Sequence, residues 1–472
     1  MLIFFLIPIS IITANSYSIE DHVLTKVVNN SIKSCDDFFR HVCGIDSADD
    51  IRTFVEPILK EELENITVFD DVSQYLVELI KCSSASVEPT FFFDEMKLEF
   101  DQSCKNGTEQ QYLTGLKKFL PGGIHTEIMA DCEKRNELDF VLQEIQNKLY
   151  QNQQTECTQK SMNQTAWLWM YRNFDSIKKL NNLVTDIKKM YISWIAKTPW
   201  IKKHNLVESY QKLVNTTALV DIDPLYQIIA IGGEYKKCLE NTTTWLSNPQ
   251  LRNIICLQLT NKGSRVGKLL GGISAKISRY QFISLSIAFY VIVSRTNSDS
   301  FLIGQMGTIL AHEIAHVIIQ SDVDETLFFS DSVQQCIQQQ YNKSCSYFPE
   351  GYCVPNYDRL DENGSDLLAG HAVAHYIEER ISSEFLKSIN KFSGKLRNDQ
   401  LFFYGQASGI CIKSFKDGGD TRHTPSRARF NAIAIQNPGF QKAFDCSAES
   451  AMIKSFNEKC YVLGEQAPLQ KK

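Results

Sequence analysis

Residues 301–320 form the stretch of sequence that most constrains the fold, because a strongly apolar run contains three ionisable side chains. The run follows a polar turn and has the length and composition of a compact buried helix. His312 and His316 are four residues apart, so they lie one above the other on the same helix face. Burying two imidazoles and the carboxylate of Glu313 without partners would be costly. The chain therefore has to fold so that a partner meets this face.

This H-E-x-x-H pattern is typical of a zinc site. The ring nitrogens of two histidines one helical turn apart can converge on one cation at about 2.1 Å. Glu313 follows the first histidine, where its carboxylate can reach a water on the metal without binding the metal itself. Zinc would lower the pKa of that water to about 7, and Glu313 would accept its proton as general base. The alternative, that the histidines are solvated or satisfied within the core, fits this apolar helix poorly.

A catalytic zinc needs a third protein ligand and keeps one position open for water. A second predicted helix, residues 361–379, begins with Glu362 and Asp366, whose carboxylates are four residues apart. One of them can bind the metal while the other hydrogen-bonds a ligand imidazole. His371 and His375, also four apart, compete for the ligand role, but no glutamate between them is placed to act as a base.

The N-terminus and the cysteines predict export. Residues 1–14 are apolar and uncharged and fall short of the roughly 20 residues of a membrane span, which favours a signal peptide over residues 1–18. An anchor that is not cleaved is the alternative. Fourteen cysteines without any C-x2-C pair indicate disulfides rather than zinc ligands. Eight N-x-S/T sequons agree with a secreted glycoprotein.

Composition and hydrophobic patterning limit the number of domains, the class of partner and the secondary structure. A chain of 472 residues, 43% hydrophobic and 22% charged, can hold two or three globular domains. Its net charge of −6 gives no electrostatic reason to expect nucleic acid or an anionic membrane surface as a partner. Residues 31–281 have a mostly helical pattern, whereas Tyr280 to Ser294, rich in β-branched and aromatic residues, predicts a strand. We therefore divide the mature chain into a helical N-terminal region, 19–270, and a metal-binding domain, 271–472.

The motifs together resemble a known family. H-E-I-A-H at 312–316 followed by E-N-x-x-D at 362–366 is similar to the zinc motifs of the neprilysin and endothelin-converting enzyme family of zinc metallopeptidases. Residues 34–44, 401–411 and 423–431 resemble the family's N-terminal cysteine motif and two of its C-terminal segments, in the family's order. The resemblance is patchy in the first half of the chain and fairly continuous in the second.

The resemblance implies a mainly α (α+β) fold, with a thermolysin-like zincin catalytic half, a small β-sheet edge strand and a reduced helical lid domain. Residues 31–45 would pack on the catalytic half. The resemblance also implies one zinc ion per chain and a role for each of the following residues: His312, His316 and Glu362 as zinc ligands, Glu313 as general base, Asp366 as the acid that orients a ligand imidazole, His423 as the donor to the oxyanion, and Arg429 as the arginine that grips the substrate backbone. Arg427 is the alternative to Arg429 if the register differs by two.

The chain departs from the family where substrate would bind. The family's N-A-x-Y substrate strand reads Ile287 to Tyr290 here, which leaves Ala288 and Tyr290 as the substrate-binding positions. Isoleucine cannot make the hydrogen bond that asparagine would make to a peptide backbone, at a cost of about 1–3 kcal/mol of transition-state binding. The chain is also shorter than family members, and the loop before the metal helix is compressed. These changes weaken substrate positioning and leave the chemistry intact.

The same resemblance implies four disulfides: Cys35–Cys446, Cys43–Cys411, Cys104–Cys256 and Cys336–Cys460. Cys345 and Cys353 are expected to close a small local loop. The resemblance assigns no partner to the remaining cysteines, which are Cys82, Cys132, Cys157 and Cys238.

The expected function is that of a secreted zinc metalloendopeptidase acting on extracellular oligopeptides, with no nucleic-acid partner and no membrane span after signal cleavage. The alternative is a catalytically impaired neprilysin-like protein that binds peptides or serves as a structural glycoprotein. Asn363 lies between a predicted ligand and its orienting acid, so we expect its sequon to carry no glycan.

Overall fold

The computed structural model describes residues 18–44, 54, 57–58, 89–117, 174–219, 224–259, 275–277, 282–319, 331–349, 353, 359–391, 395–409 and 423–467. The chain divides into two compact units, and each is described by itself. Unit 1 comprises Met1–Glu56, Asp175–Asp221 and Ile273–Lys472, and unit 2 comprises Pro57–Phe174 and Ile222–Gly272. The predicted signal peptide falls on residues outside the described ranges, apart from Ser18.

The described elements are mostly helical. The helices are α1 (Ile19–His22), α2 (Phe38–Cys43), α3 (Pro89–Lys105), α4 (Glu109–Lys117), α5 (Phe174–Lys197), α6 (Pro199–Lys203), α7 (Val207–Thr216), α8 (Pro224–Thr242), α9 (Pro249–Leu259), α10 (Ile287–Ser294), α11 (Asp299–Leu302), α12 (Thr308–Ile319), α13 (Asp331–Tyr347), α14 (Leu360–Arg380), α15 (Ser383–Lys387), α16 (Asn398–Ser408), α17 (Ser426–Gln436), α18 (Gly439–Phe444) and α19 (Ala451–Ser455). Two π-helical turns, Val23–Val27 and Ile303–Gly307, follow α1 and α11. The strands are β1 (Ala218–Leu219), β2 (Ala275–Ile277) and β3 (Phe282–Leu285).

The strands form one small sheet in the order β1-β3-β2. The central strand, β3, runs parallel to β1, with Ala218 opposite Phe282, and antiparallel to β2, with Ala275 opposite Leu285. The predicted mainly helical fold with a small sheet is thus confirmed.

The strand predicted over Tyr280 to Ser294 is wrong beyond Leu285. β3 ends there, and after Ser286 the chain continues as the helix α10. The run is apolar at nearly every position rather than at alternate ones, so its β-branched residues do not by themselves select a strand. As a helix it satisfies its own backbone hydrogen bonds and buries Val291, Ile292 and Val293 completely.

The helix predicted over residues 301–320 is present, and it is the centre of unit 1. The hydroxyl of Ser298 caps its start by accepting a hydrogen bond from the backbone N–H of Phe301 (3.3 Å). From Asp299 to Ile319 the run is long and apolar enough to cross a membrane, and no other helix in the described ranges is. Because 83% of its most apolar window is buried within the protein, this run is a core helix of unit 1.

Two glycines let this helical run approach α16 closely. A Cβ atom on Gly304 would overlap the backbone carbonyl of Phe402, and one on Gly405 would overlap that of Phe301. The absence of side chains at both positions therefore fixes the distance between the two helices. α12, which follows the π-helical turn, packs extensively on α14.

The N-terminal segment of unit 1 packs on α16 and α17. Asp37 caps α2, and its carboxylate also accepts hydrogen bonds from Arg427 Nε (2.6 Å) and Asn431 Nδ2 (2.9 Å) on α17. The disulfide between Cys35 and Cys446 ties the same segment to the end of α18.

Three of the predicted disulfides, Cys35–Cys446, Cys336–Cys460 and the local Cys345–Cys353, are confirmed. The predicted Cys104–Cys256 pair is wrong, because Cys256 is bonded to Cys238. These two cysteines are only 18 residues apart and lie on the packed helices α8 and α9, which bring their Cα atoms to 5.6 Å. Cys43 and Cys104 are also disulfide-bonded. The predicted Cys43–Cys411 pair involves a residue outside the described ranges.

In unit 2, the buried carboxylate of Glu99 holds the start of α9 in place. It accepts hydrogen bonds from the backbone N–H and hydroxyl of Ser247 (3.0 and 2.6 Å) and from the N–H of Asn248 (2.6 Å). Three charge-assisted hydrogen bonds offset the cost of burying this carboxylate. Unit 2 falls within the region predicted as a reduced lid, and that role stays a prediction.

Candidate metal centre

Two helices of unit 1 bring three metal-binding atoms together. α12 supplies His312 and His316, whose Nε2 atoms lie 2.9 Å apart. α14 supplies Glu362, whose Oε2 atom lies 3.4 Å from each of these nitrogens. Among the residues that the structure describes, this is the only group of three or more such side chains whose ligand atoms all lie within 4.8 Å of one another.

Whether the two imidazoles can bind a cation depends on which ring nitrogen carries the proton. Nδ1 of His312 lies 2.9 Å from Asp366 Oδ1, and Nδ1 of His316 lies 3.2 Å from the hydroxyl of Ser365. With each Nδ1 facing its neighbour, both Nε2 atoms face each other and Glu362, where they could hold a cation through their lone pairs once deprotonated. Glu362 Oε2 and Nδ1 of His312 are both buried, and neither makes a hydrogen bond of good geometry. Three ligand atoms that converge on one point, with a buried carboxylate oxygen among them, fit a bound cation.

The separations between the three atoms agree with zinc. Ligands about 2.1 Å from a tetrahedral ion are about 3.4 Å from one another. The observed separations are 2.9, 3.4 and 3.4 Å. Two imidazoles and one carboxylate are also the donor set of a catalytic rather than a structural zinc, since a fourth position is left for substrate or water.

Asp366 is the centre of a buried network behind His312. Its carboxylate accepts hydrogen bonds from Nε and Nη2 of Arg429, the latter at 2.8 Å, and from the hydroxyl of Tyr341 at 3.2 Å. Burial alone would raise the pKa of Asp366, but Arg429 and His312 hold it at about 2. Burial would likewise lower the pKa of His312, whereas Asp366 and Glu362 raise it to about 9. The network thus keeps Asp366 anionic beside the imidazole that it orients.

Glu362 is also held as an anion. Burial would raise its pKa, but contacts with His312, His316 and His423 hold that pKa well below its usual value. Nε2 of His423 lies 3.1 Å from Glu362 Oε2. His423 therefore lies beside the three candidate ligands, and 23% of its side chain is exposed.

Side chains from α14 and the residue before it fix the loop that carries His423. Arg359 donates a hydrogen bond to the backbone carbonyl of His423. The hydroxyl of Thr424 donates to the side-chain oxygen of Asn363 (2.8 Å). Asn363 is only 3% exposed. This burial supports the expectation that its sequon carries no glycan, since an acceptor asparagine has to be accessible.

The structure distinguishes the two arginines on α17. Arg429 is buried against Asp366, and its Nη2 atom lies 3.9 Å from Glu362 Oε2. Arg427 instead pairs with Asp37, away from the metal residues. Of the two registers considered from the sequence, the one with Arg429 places an arginine at the site.

The remaining predicted residues are placed as follows. Glu313 is on α12 between the two histidines and is 7% exposed. Ala288 and Tyr290, predicted on a substrate strand, lie on the buried helix α10 and are 7% and 2% exposed. His371 and His375, the alternative ligands, are nine and thirteen residues beyond Glu362 on α14. They line a different cleft, described below.

Sequence reasoning missed two side chains that contact the site. Ser365 supports His316, and Tyr341 supports Asp366 from α13. Ser365 could have been found, because it is three residues beyond Glu362 on the same helix and therefore lies near the same face. Tyr341 gives no comparable signal, since only the packing of α13 on α14 brings it to Asp366.

Comparisons with known proteins give one family match and two similar solved structures. Residues 291–460 match the model of peptidase family M13, whereas a search of curated protein sequences finds no match. A solved structure of the Haemonchus galactose containing glycoprotein complex is 14% identical, with a TM-score of 0.51 over 92% of this chain and 98% of that chain. A Mycobacterium tuberculosis zinc metalloprotease in complex with an inhibitor is also 14% identical, with a TM-score of 0.42 over 70% of this chain and 51% of that one.

Fold and site together define a helical protein with a candidate zinc centre of the H-E-x-x-H type. Residues 291–460 match the model of peptidase family M13, the neprilysin family, so the predicted resemblance is confirmed. The four described disulfides are typical of an extracellular or secreted protein.

Proposed function

We propose that this protein is a zinc-dependent endopeptidase that hydrolyses extracellular oligopeptides. The observation that carries the proposal is the convergence of three acceptor atoms from His312, His316 and Glu362, with both imidazoles supported at Nδ1. A zinc ion held there would supply a Lewis acid that polarises a peptide carbonyl and lowers the pKa of a water.

The chain's own residues would carry the proton transfers. Glu313 follows the first ligand on α12 and accepts the proton of the attacking water. Asp366 contacts Nδ1 of His312, and Ser365 contacts Nδ1 of His316, so both rings would be oriented to hold zinc through Nε2. His423 lies beside the ligand cluster and donates a hydrogen bond to the developing oxyanion.

We assign Arg429 a positioning role in addition to the substrate contact predicted from the resemblance. Its guanidinium makes two hydrogen bonds to Asp366 and is 4% exposed. A buried bidentate pair of this kind fixes the carboxylate that orients His312.

The proposed site of action is outside the cell, with secretion through cleavage of the N-terminal apolar segment. Disulfides support this, because they persist in oxidising compartments. Peptides are the proposed partners, and the modest net charge of −6 favours neither nucleic acid nor an anionic membrane.

Glu313→Gln tests the assigned mechanism. The substitution removes the base and leaves both histidines and Glu362 in place, so zinc content should stay at one ion per chain while kcat falls by about 1,000-fold or more. Metal analysis and cleavage of a peptide library are measured on the same purified preparations. Equal cleavage rates for the variant and the parent protein would refute the mechanism.

A second candidate is a catalytically impaired relative that binds peptides. It is favoured by α10, which buries Ala288 and Tyr290 where the resemblance implies an accessible substrate strand. This candidate predicts zinc binding and peptide binding with no chelator-sensitive cleavage. Zinc-dependent turnover by the parent protein would exclude it.

A further inference from the structure

Unit 1 contains a second cleft, on the opposite side of α14 from the candidate metal centre. Its volume is about 450 Å³. Its walls come from α5, α14 and the C-terminal segment. Among the side chains that line it are Trp194, Leu368, His371, Lys459 and Tyr461. Glu362 and His371 are nine residues apart, about two and a half helical turns, so their side chains leave α14 on opposite faces. The cleft is therefore separate from the metal site.

One wall of the cleft offers polar groups that the protein does not satisfy. His371 is 9% exposed, and its Nε2 atom is buried with no hydrogen-bond partner in the part of the chain that the structure describes. Burial, and then the charge of Lys459, lower the pKa of His371 to about 3, so the ring is neutral at physiological pH. The side chain of Gln436 makes a hydrogen bond with the ring, which opposes this lowering. Nε2 remains a buried polar atom without a partner, which costs free energy unless a ligand supplies one.

Lys459 gives the same wall a positive charge. Its ammonium lies 5.1 Å from the centre of the Tyr461 ring, and no ion pair holds it among the described residues. Burial lowers its pKa, whereas Glu378 raises it. An ammonium group that is partly stripped of water, in the same wall as an unpartnered imidazole nitrogen, matches a carboxylate, which accepts hydrogen bonds from Lys459 and from His371 with its proton on Nε2.

The opposite wall is aromatic. Trp194 packs against His375, with ring centres 5.3 Å apart and ring planes tilted by 38°. His375 is itself fixed by Glu379, whose Oε1 atom lies 3.0 Å from its Nε2. Leu368, which is 1% exposed, adds an apolar floor. This side matches an aromatic ring rather than another polar group.

The other charges around the cleft argue against a multiply charged anion. Lys197 is paired with Glu465 at 3.5 Å, so it is not available to a ligand. Glu378 and Glu379 also line the cleft. Two carboxylates near a single unpaired cation would repel a phosphate dianion more strongly than a monocarboxylate.

We propose that this cleft binds an aromatic monocarboxylate, such as the C-terminal aromatic residue of a peptide, with its carboxylate on Lys459 and His371 and its ring against Trp194. The binding does not require metal or catalysis. It would give the protein a second peptide-recognition site behind the helix that carries Glu362.

Isothermal titration calorimetry of the full chain with N-acetyl-L-phenylalanine tests the proposal. Lys459→Met is expected to weaken binding by about tenfold or more, because it removes the charge-assisted contact. The neutral amide, N-acetyl-L-phenylalaninamide, should bind the parent protein more weakly by a similar factor. Lys454→Met is the matched control, since Lys454 is exposed, pairs with Glu449 and lies outside the cleft. A carboxylate bound at the zinc site would keep its affinity in Lys459→Met.

A second variant, Trp194→Leu, keeps the test decisive if Lys459→Met fails to fold. It removes the aromatic wall and should also weaken binding by about tenfold. The same titrations with acetyl-Ala-Ala-Phe distinguish two classes of ligand. If the cleft takes a peptide C-terminus, this tripeptide should bind at least as tightly as N-acetyl-L-phenylalanine. If it takes a free aromatic acid, the tripeptide should bind more weakly. The proposal is overturned if the acid and amide bind equally, if folded Lys459→Met or Trp194→Leu binds like the parent protein, or if no heat of binding is seen at millimolar probe.

Discussion

The hydroxyl oxygen of Ser365 lies 3.2 Å from Nδ1 of His316, on the side of the ring away from the other two metal-binding residues. Oδ1 of Asp366, the next residue, lies 2.9 Å from Nδ1 of His312. One helix, α14, therefore supplies the third ligand and the supports of both imidazoles. Neighbours of this kind set which ring nitrogen is protonated, and their loss commonly lowers metal affinity by about 10- to 100-fold.

We therefore expect Ser365→Ala to weaken zinc binding by about tenfold while leaving the fold intact. Competition with a chromogenic chelator measures the zinc affinity directly. Ser455→Ala is the matched control, because Ser455 is equally buried and donates its hydrogen bond to the carbonyl of Met452 on α19. Equal zinc affinity in the two variants would show that Ser365 does not support His316.

Removal of the metal should lower thermal stability. A ligand that binds only the folded state stabilises it by RT ln(1 + [L]/Kd), so a chelator should lower Tm and added zinc should restore it. Glu362→Gln removes the anionic ligand and should abolish this zinc-dependent shift. Glu379→Gln, at an exposed position on the same helix, should keep it. The site is wrongly assigned if Glu362→Gln responds to zinc as the parent protein does.

The close packing of the metal-binding helical run on α16 predicts a sharp effect of a single methyl group. Gly304→Ala would place a Cβ against the carbonyl of Phe402, so we expect the free energy of unfolding to fall by about 1–3 kcal/mol or more. Gly233→Ala on α8 is the control, since its Cβ would meet no atom within 4 Å. Helix propensity predicts a neutral or stabilising effect there. Urea unfolding compares the two, and a Gly304→Ala midpoint at or above that of the parent would contradict the packing.

His371 predicts a loss of stability in acid. Its pKa is lowered from 6.5 to about 3 by burial, with a contribution from Lys459. Above pH 6.5 the ring is neutral in both states, so it imposes no penalty. As the pH falls from 6.5 towards 3 the unfolded chain takes up the proton more readily, and stability is lost at up to about 1.4 kcal/mol per pH unit.

His371→Asn should therefore lose less stability than the parent protein between pH 7.5 and pH 5.0, by roughly 2 kcal/mol. Urea titrations of both proteins at the two pH values measure the difference, and groups common to both cancel. Identical losses in the two proteins would mean that His371 is protonated as easily in the folded state as in the unfolded one.

The sequence by itself determined the metal-binding residues on α12. Helical periodicity places His312 and His316 on one face in any fold that keeps the helix, and the apolar residues around them require that face to be buried against a partner. Helical periodicity also predicted the helix that carries Glu362 and Asp366. The family motifs predicted the set of metal ligands and two long-range disulfides, Cys35–Cys446 and Cys336–Cys460.

Only the tertiary structure decided which distant groups meet. It placed Tyr341 behind Asp366, paired Arg427 with Asp37 rather than with the site, and joined Cys256 to Cys238. It also made α10 a helix, because an apolar run without alternation satisfies its backbone in either form and the surrounding core selects between them. Local patterns fix which residues share a face, whereas packing fixes which face they meet.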